Sequence, residues 1–295
     1  MTPMSKTILF FGTDTFSAAA LTALINADYT IGAVITKPDS KQGRGQKLTA
    51  PLVKQIALQH NIPVWQPNTL VAIADDIKAL GEVTGVLSSY GKIIPQSILD
   101  LFTPGIINVH PSLLPLYRGP SPIESAIENG DAATGVSIMK LVAAMDAGPV
   151  YAQATQLLTG TETQVDLYGT LAEKGGELLI ATLPQIISGE LEPIEQADAA
   201  TYSQLLKKED AYIDVSSVSA KQAEQTIRAH LSYPKTKLVV HEQAIIVTQA
   251  HVAPEATSSL DQQCQDGNYL IIDQLIAPSG KQMSAEAFLN GYAAG

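Results

Sequence analysis

The first part of the chain alternates short apolar runs with segments of helical periodicity. Short runs rich in β-branched and aromatic residues predict buried strands, and apolar residues three or four positions apart predict amphipathic helices. The predicted strands are residues 7–11, 29–36, 62–67, 85–91 and 105–111. Between them lie helical segments at residues 17–27, 51–60 and 71–80, and the segment 95–102. This alternation predicts an α/β fold with a mostly parallel, Rossmann-like sheet.

The pattern changes in the second half of the chain. Apolar residues at helical spacing predict one long amphipathic helix over residues 163–188, which Pro184 is expected to bend or end. The apolar runs at 237–252 and 268–277 predict strands of a second, smaller, β-rich domain. Residues between the two parts are acidic, small or proline, as in a linker. The predicted boundaries are 1–189 for the first domain, 190–203 for the linker and 204–295 for the second domain.

The charge of the chain argues against a general nucleic-acid-binding protein. The net charge of its 295 residues is -11 and the sequence pI is near 4.8, whereas affinity for phosphates needs clustered Lys and Arg. Residues 36–54 form a local exception, with five cations and one acid; the cations are Lys37, Lys41, Arg44, Lys47 and Lys54. A basic loop on an acidic body is compatible with one specific polyanionic partner. From the residues alone, a solvated surface loop remains the alternative.

Several kinds of chemistry are not indicated. The one cysteine, Cys264, excludes a disulfide within the chain, and the five histidines are scattered without ligand-like spacing, so we expect no metal. No apolar run approaches the roughly 20 residues of a membrane helix, and no targeting segment is visible. A lone Gly12 after the first strand gives only a weak dinucleotide signal. These features predict a soluble, cytoplasmic protein without a membrane partner.

The segment "NVHP" places two polar side chains at the end of a predicted strand. Asn108 and His110 are two residues apart, so they share one face of the strand, near the edge where parallel sheets bind ligands. Both side chains can donate hydrogen bonds to a developing oxyanion, which suits acyl transfer. Asp146, after the strand-like segment 135–142, is a candidate carboxylate to orient the imidazole. The alternative is structural: His110 caps a turn and Asn108 satisfies backbone groups.

These motifs carry a family resemblance. "NVHPSLLPLYRG" and "MDAGPV" resemble the Asn-x-His, Ser-Leu-Leu-Pro and Asp-x-Gly motifs of the folate-dependent formyltransferases. The resemblance implies a formyltransferase that uses 10-formyltetrahydrofolate as donor. It implies that Asn108 and His110 stabilise the oxyanion, that Asp146 holds His110 and helps to move a proton, and that no covalent enzyme intermediate forms. It also places a folate pocket at Ser112, Leu113, Leu114 and Pro115, with Tyr90 nearby.

A further resemblance concerns the acceptor. "PDSKQGRGQKL" is similar to the Gly-Arg-Gly loop of the family members that formylate methionyl-tRNA, and fainter similarity continues through "IRAHLSYP" and "GKQMSAEAFLNG". It implies that the acceptor is the α-amine of initiator methionyl-tRNA. It also implies that Lys41, Arg44 and Lys47 contact the tRNA, and that the second domain is an OB-like β-barrel that binds tRNA. A monomer is expected.

Two alternatives remain open. "HPSLLPLY" and "DAGPVYAQ" also resemble glycinamide ribonucleotide formyltransferase, so the acceptor in the first alternative is a small amine: a nucleotide sugar or glycinamide ribonucleotide. The Gly43-Arg44-Gly45 loop and the second domain disfavour this alternative. The second is a folate- or tRNA-binding module without catalysis, which the set of Asn108, His110 and Asp146 disfavours.

Overall fold

A computed structural model describes residues 6–42, 45–240 and 243–292 of the protein. Its strands are β1 (Thr7–Phe11), β2 (Ile31–Ile35), β3 (Ser40–Gln42), β4 (Lys47–Thr49), β5 (Val64–Trp65), β6 (Val83–Leu87), β7 (Ile106–His110), β8 (Ala133–Lys140), β9 (Val150–Leu157), β10 (Lys237–Val240), β11 (Gln243–Ala253), β12 (Gln262–Gln263), β13 (Tyr269–Ile276) and β14 (Gln282–Ser284). Its α-helices are α1 (Thr15–Asn26), α2 (Leu52–Gln59), α3 (Ala74–Ala79), α4 (Gln96–Leu99), α5 (Pro122–Glu128), α6 (Gln164–Ser188), α7 (Ala220–Ala229) and α8 (Ala285–Tyr292).

The large sheet has the strand order β5-β2-β1-β6-β7-β8-β9. Strands β5, β2, β1, β6 and β7 pair in parallel, and β8 runs antiparallel to β7. The chain leaves β1 in one direction to form β2 and β5, and later returns to its other side to form β6 and β7. Loops therefore diverge at the carboxyl ends of β1 and β6, which is where open α/β sheets bind ligands. The prediction of a mostly parallel, Rossmann-like sheet is confirmed.

Both faces of this sheet are buried, as the continuous apolar strands require. On one face, Leu9 and Phe11 belong to a core cluster with Ile77 of α3 and Ile98 of α4. On the other face lies α6. A Cβ atom on Gly175 would come within 2.9 Å of the Val109 side chain, so α6 packs directly over β7 only because this position is glycine.

The chain divides into two compact units. The first contains residues up to Pro120, Thr134–Gln156 and Tyr168–Tyr202; the second contains Ser121–Ala133, Leu157–Leu167 and residues from Ser203 onward. In the second unit, α7 shares a core with β10, β11 and β13, whose order is β10-β11-β13-β12, with β14 also on β13. The pairs β10–β11, β11–β13, β12–β13 and β13–β14 are antiparallel. This small half-barrel agrees with the predicted fold class of the second domain. The domain boundaries 1–189, 190–203 and 204–295 stay a prediction.

Several elements differ from the sequence prediction. The loop predicted between residues 37 and 51 contains an antiparallel hairpin, in which Lys41 lies opposite Leu48. Strand β9 was not predicted, because its outer residues alternate between exposed and half-buried and contain few apolar side chains. Helix α6 continues through Pro184 to Ser188. Among the described residues, no helix combines the length and apolar character required to cross a membrane.

Candidate active site

The register of the parallel strands brings three strand ends to one level. Phe11 of β1 is opposite Leu87 of β6, and Leu87 is opposite Asn108 of β7. Strand β7 continues two residues further, to His110. The loops after β1 and β6 therefore lie beside Asn108, and Thr13 donates a hydrogen bond from its hydroxyl to the Tyr90 carbonyl oxygen across this edge (3.2 Å).

Asn108 and His110 are both buried at this edge, with 4% and 5% of their surface exposed. They lie on the same face of β7, as predicted from their spacing. The Asn108 side-chain amide has no hydrogen-bond partner among the residues that the structure describes. The amide is therefore available to donate a hydrogen bond to an oxygen atom of a bound substrate.

The imidazole of His110 is held by two neighbours. Its Nε2 lies 3.0 Å from the Tyr117 carbonyl oxygen, and its Nδ1 lies 3.8 Å from Oδ2 of Asp146. Because a carbonyl oxygen can only accept a hydrogen bond, Nε2 carries a proton. Nδ1 is therefore the ring nitrogen that faces the Asp146 carboxylate.

Both the backbone and the carboxylate of Asp146 are constrained by their surroundings. Its φ of 46° lies in the left-handed region, which non-glycine residues rarely adopt. Oδ2 accepts a hydrogen bond of 2.8 Å from the buried amide of Gly119. A Cβ atom on Gly148 would overlap the carbonyl oxygen of Lys140, so the loop can close against β8 only with glycine here. This close approach explains the glycine of the Asp-x-Gly motif.

The residues predicted to bind folate form a rigid turn. Ser112 donates a hydrogen bond to the Leu116 carbonyl (2.6 Å), and the Leu114–Pro115 peptide is cis. Ser137 of β8 donates to the Ser112 carbonyl and accepts from the Leu114 amide, and Gln153 of β9 donates to the Leu114 carbonyl. Leu113 is half-buried and lies against Gly135. The structural role of Ser112, Leu113, Leu114 and Pro115 is thus clear, and their contact with folate stays a prediction.

Tyr90 also lies deep in the fold. Its ring is 1% exposed and packs edge-on against Phe11. Burial raises the pKa of the Tyr90 hydroxyl to about 12, so it stays protonated at neutral pH. A role in folate binding stays a prediction here as well.

A cleft of about 270 Å³ opens at the other end of β7, and the sequence did not indicate it. Its walls are both polar and apolar, and the apolar residues include Leu99, Phe102, Ile106 and Leu141. Ile106 shares the face of β7 that carries Asn108 and His110, and the loop that starts at Leu141 also carries Asp146. The lining residues come from separate segments, 96–106 and 140–142, so no local pattern marks them. None of the predicted folate residues lines this cleft.

The predicted tRNA-binding residues lie in and around the β3–β4 hairpin. Lys41 and Lys47 are exposed, and Arg44 lies outside the described residues. The base of the hairpin is anchored: the Lys54 ammonium donates to Asp39 (2.9 Å) and to Oε1 of Gln66 (2.8 Å). The hydrogen bond from Lys54, followed by that from Gln66, lowers the pKa of Asp39. The structure therefore presents both lysines on an anchored hairpin, and their contact with tRNA stays a prediction.

The site lacks the features of a metal centre within the described part of the chain, where no group of three His, Cys, Asp or Glu side chains could hold an ion. What it offers is an amide donor, an imidazole and a carboxylate around the end of one strand. Groups of these types can stabilise an oxyanion and transfer a proton.

Comparison with known proteins identifies the family to which the chain belongs. The formyl transferase family model matches residues 5–183, and the model of the formyl transferase C-terminal domain matches residues 205–293. The chain therefore belongs to the formyl transferase family. It is 38% identical over 308 aligned residues to a methionyl-tRNA formyltransferase of Janthinobacterium sp. (strain Marseille), covering 97% of each chain. A methionyl-tRNA formyltransferase of Chloroflexus aurantiacus is 41% identical, covering 83% of this chain and 80% of that protein.

Solved structures with lower sequence identity share the fold. The N-formyltransferase of Helicobacter canadensis, in complex with folinic acid and dTDP-3-aminofucose, has a TM-score of 0.69 at 18% identity and covers 90% of this chain and 98% of its own. HypX of Aquifex aeolicus, in complex with tetrahydrofolic acid, has a TM-score of 0.68 at 15% identity and covers 99% of this chain and 48% of its own.

Proposed function

We propose that the protein transfers the formyl group of 10-formyltetrahydrofolate to the α-amine of initiator methionyl-tRNA, acting as a monomer in the cytoplasm. The observation that carries this proposal is the contact of His110 with Asp146 beside Asn108 at the end of β7. The match to methionyl-tRNA formyltransferases along nearly the whole chain supports the choice of acceptor.

In the proposed reaction, Asn108 and His110 act on the formyl oxygen and Asp146 acts on the proton. The Asn108 amide would donate a hydrogen bond to the formyl oxygen, and the His110 imidazole would help to stabilise it, while the amine attacks the formyl carbon and negative charge develops on that oxygen. Asp146 would orient the His110 imidazole and take the proton that the attacking amine releases. The same proton would return to the folate nitrogen as the bond between that nitrogen and the formyl carbon breaks. No nucleophilic side chain is required.

The cleft at the start of β7 suits the pterin ring of the donor. Its apolar residues can pack against a flat heterocycle, and Gln96, Asp100 and Lys140 in its lining can hydrogen-bond ring nitrogens and oxygens. Ile106 precedes Asn108 by two residues, or about 7 Å along the strand. A pterin in the cleft would therefore present its formyl group at Asn108. This placement extends the predicted folate site beyond Ser112, Leu113, Leu114, Pro115 and Tyr90.

A formyl-transfer assay tests the identity of the acceptor. Labelled 10-formyltetrahydrofolate is incubated with initiator methionyl-tRNA, with elongator methionyl-tRNA as control, and with two small amines, a nucleotide-linked amino sugar and glycinamide ribonucleotide. We expect label on initiator methionyl-tRNA. Transfer only to a small amine would establish the alternative acceptor class, and folate binding without any transfer would overturn the enzymatic proposal.

A further inference from the structure

One side chain in the predicted linker reaches into the site. Gln196 is half-buried, while its neighbours Glu195 and Ala197 are exposed. Its Nε2 donates hydrogen bonds to the carbonyl oxygens of Asp146 (2.8 Å) and Gly148 (2.7 Å). These two oxygens belong to the loop that carries the catalytic carboxylate.

The other end of the same amide contacts Arg118. Oε1 of Gln196 accepts hydrogen bonds from Nε (3.0 Å) and Nη2 (2.8 Å) of Arg118. The partners fix the orientation of the amide, because carbonyl oxygens can only accept and a guanidinium can only donate. All four contacts therefore use the amide in one orientation, with donors and acceptors correctly matched.

Arg118 is the middle residue of a tripeptide in which each residue holds one part of the site. The carbonyl oxygen of Tyr117 accepts from His110, the side chain of Arg118 donates to Gln196, and the amide of Gly119 donates to the Asp146 carboxylate. Gln196 closes this ring by linking Arg118 to the backbone of Asp146.

We propose that Gln196 is a positioning residue, which acts with Arg118 to hold the Asp146 carboxylate at the distance from His110 that catalysis requires. This inference rests on the proposed formyl transfer. The need for such a residue follows from the backbone: Asp146 has a left-handed φ, and a strained conformation persists only when the surrounding contacts enforce it.

The substitution Gln196→Glu separates the two halves of the contact. A carboxylate can still accept from Arg118, but it cannot donate to the Asp146 and Gly148 carbonyl oxygens and instead repels them. We expect kcat to fall about 10- to 100-fold, the loss associated with misplaced catalytic groups, with both KM values changed less than about twofold and the melting temperature unchanged. Gln185→Glu, the same change at an exposed position of α6, is the matched control. Unchanged kcat in the Gln196 variant would overturn the proposal.

A double-mutant cycle with Asp146→Asn tests the route of the effect. If Gln196 acts through Asp146, Gln196→Glu should reduce single-turnover formylation less than about threefold when Asp146 is already replaced. Losses that multiply in the double variant would show that Gln196 acts elsewhere and would contradict the proposal.

A measurement without substrates keeps this proposal separate from the proposed function. The imidazole ¹⁵N signals of His110, assigned by their absence in His110→Gln, report the nearby carboxylate. They should shift in Gln196→Glu and not in Gln185→Glu. A shift in a protein that formylates none of the acceptors would support the positioning role and count against the proposed reaction. Unshifted signals would refute the positioning role whatever the activity.

Discussion

The side-chain amide of Asn108 is the simplest group in the site to remove, because no other described side chain depends on it. Asn108→Ala deletes one oxyanion donor and should lower kcat about 100- to 1,000-fold, or about 2.7–4 kcal/mol of barrier. Steady-state formylation of methionyl-tRNA measures this loss, and a thermal melt should show a folded protein. Asn26→Ala, at the exposed end of α1, is the matched control. A loss of less than tenfold would mean that Asn108 does not contact the formyl oxygen.

For individual residues, the sequence predicted which side chains belong to the site better than it predicted the contacts between them. The spacing of Asn108 and His110 fixes their shared strand face, because side chains alternate along any strand. Asp146 was a candidate partner for His110 because it follows a strand-like segment, and the family resemblance implied the same pairing; the structure places the two side chains 3.8 Å apart. The contact between His110 and the Tyr117 carbonyl could not be predicted, since it depends on a left-handed φ of 55° at Tyr117, a residue type that rarely adopts it.

At the level of elements, the turn before α6 should give the protein a measurable pH dependence. The Glu162 carboxylate is partly buried, which opposes ionisation, but hydrogen bonds from the backbone and side chain of Thr159 and from the Gly160 amide outweigh burial and lower its pKa to about 2. A carboxyl group with a lowered folded pKa stabilises the fold above its unfolded pKa of 4.5, and this contribution is lost as the pH falls toward 2.

Glu162→Gln should therefore lower the free energy of unfolding by roughly 1 kcal/mol at pH 7. The difference from the unchanged protein should shrink below pH 4.5 and vanish near pH 2, as measured by urea unfolding across this range. Glu173→Gln on α6 controls for the loss of one exposed carboxyl. A difference that is constant with pH would rule out the hydrogen-bonded carboxylate as its source.

A substitution in the anchor of the β3–β4 hairpin should have two opposite effects on KM for tRNA. Asp39→Asn removes a negative charge close to a basic loop, and electrostatics alone would lower KM for tRNA. The same change breaks the contact with Lys54, and a loosened hairpin should raise that KM about two- to fivefold. We expect the increase, with KM for the formyl donor unchanged. Asp76→Asn, an exposed acid on α3, is the control, and a decrease in KM would show that the anchor is unimportant.

Two features that the sequence missed, strand β9 and the place of Gln196, share one physical cause. Central strands such as β1 and β6 are buried on both faces and read as continuous apolar runs, so their prediction was secure. Strand β9 is the edge strand of the sheet and carries exposed polar residues, so its pairing with β8 leaves little trace in composition. Gln196 shows the same effect: its segment has the composition of a linker, yet four hydrogen bonds to distant residues determine its place.

The last prediction concerns the net charge of the whole molecule and the salt dependence of tRNA binding. A body with a net charge of -11 repels tRNA, so attraction must come from local cations such as those of residues 36–54. If Lys41, Arg44 and Lys47 neutralise phosphates, KM for methionyl-tRNA should rise steeply with salt. Replacing all three with alanine should reduce the slope of log KM against log salt by about two to three, roughly one per phosphate contact.

A matched variant distinguishes local contact from overall charge. Replacing Lys6, Lys78 and Lys174 with alanine removes the same three charges from the first unit and likewise takes the net charge from -11 to -14. Because Lys6 and Lys78 already pair with Glu82 and Asp75, this variant should keep the original slope. Equal slopes in the two variants would mean that overall charge governs the encounter with tRNA. A lower slope only in the hairpin variant would place the phosphates at the hairpin itself.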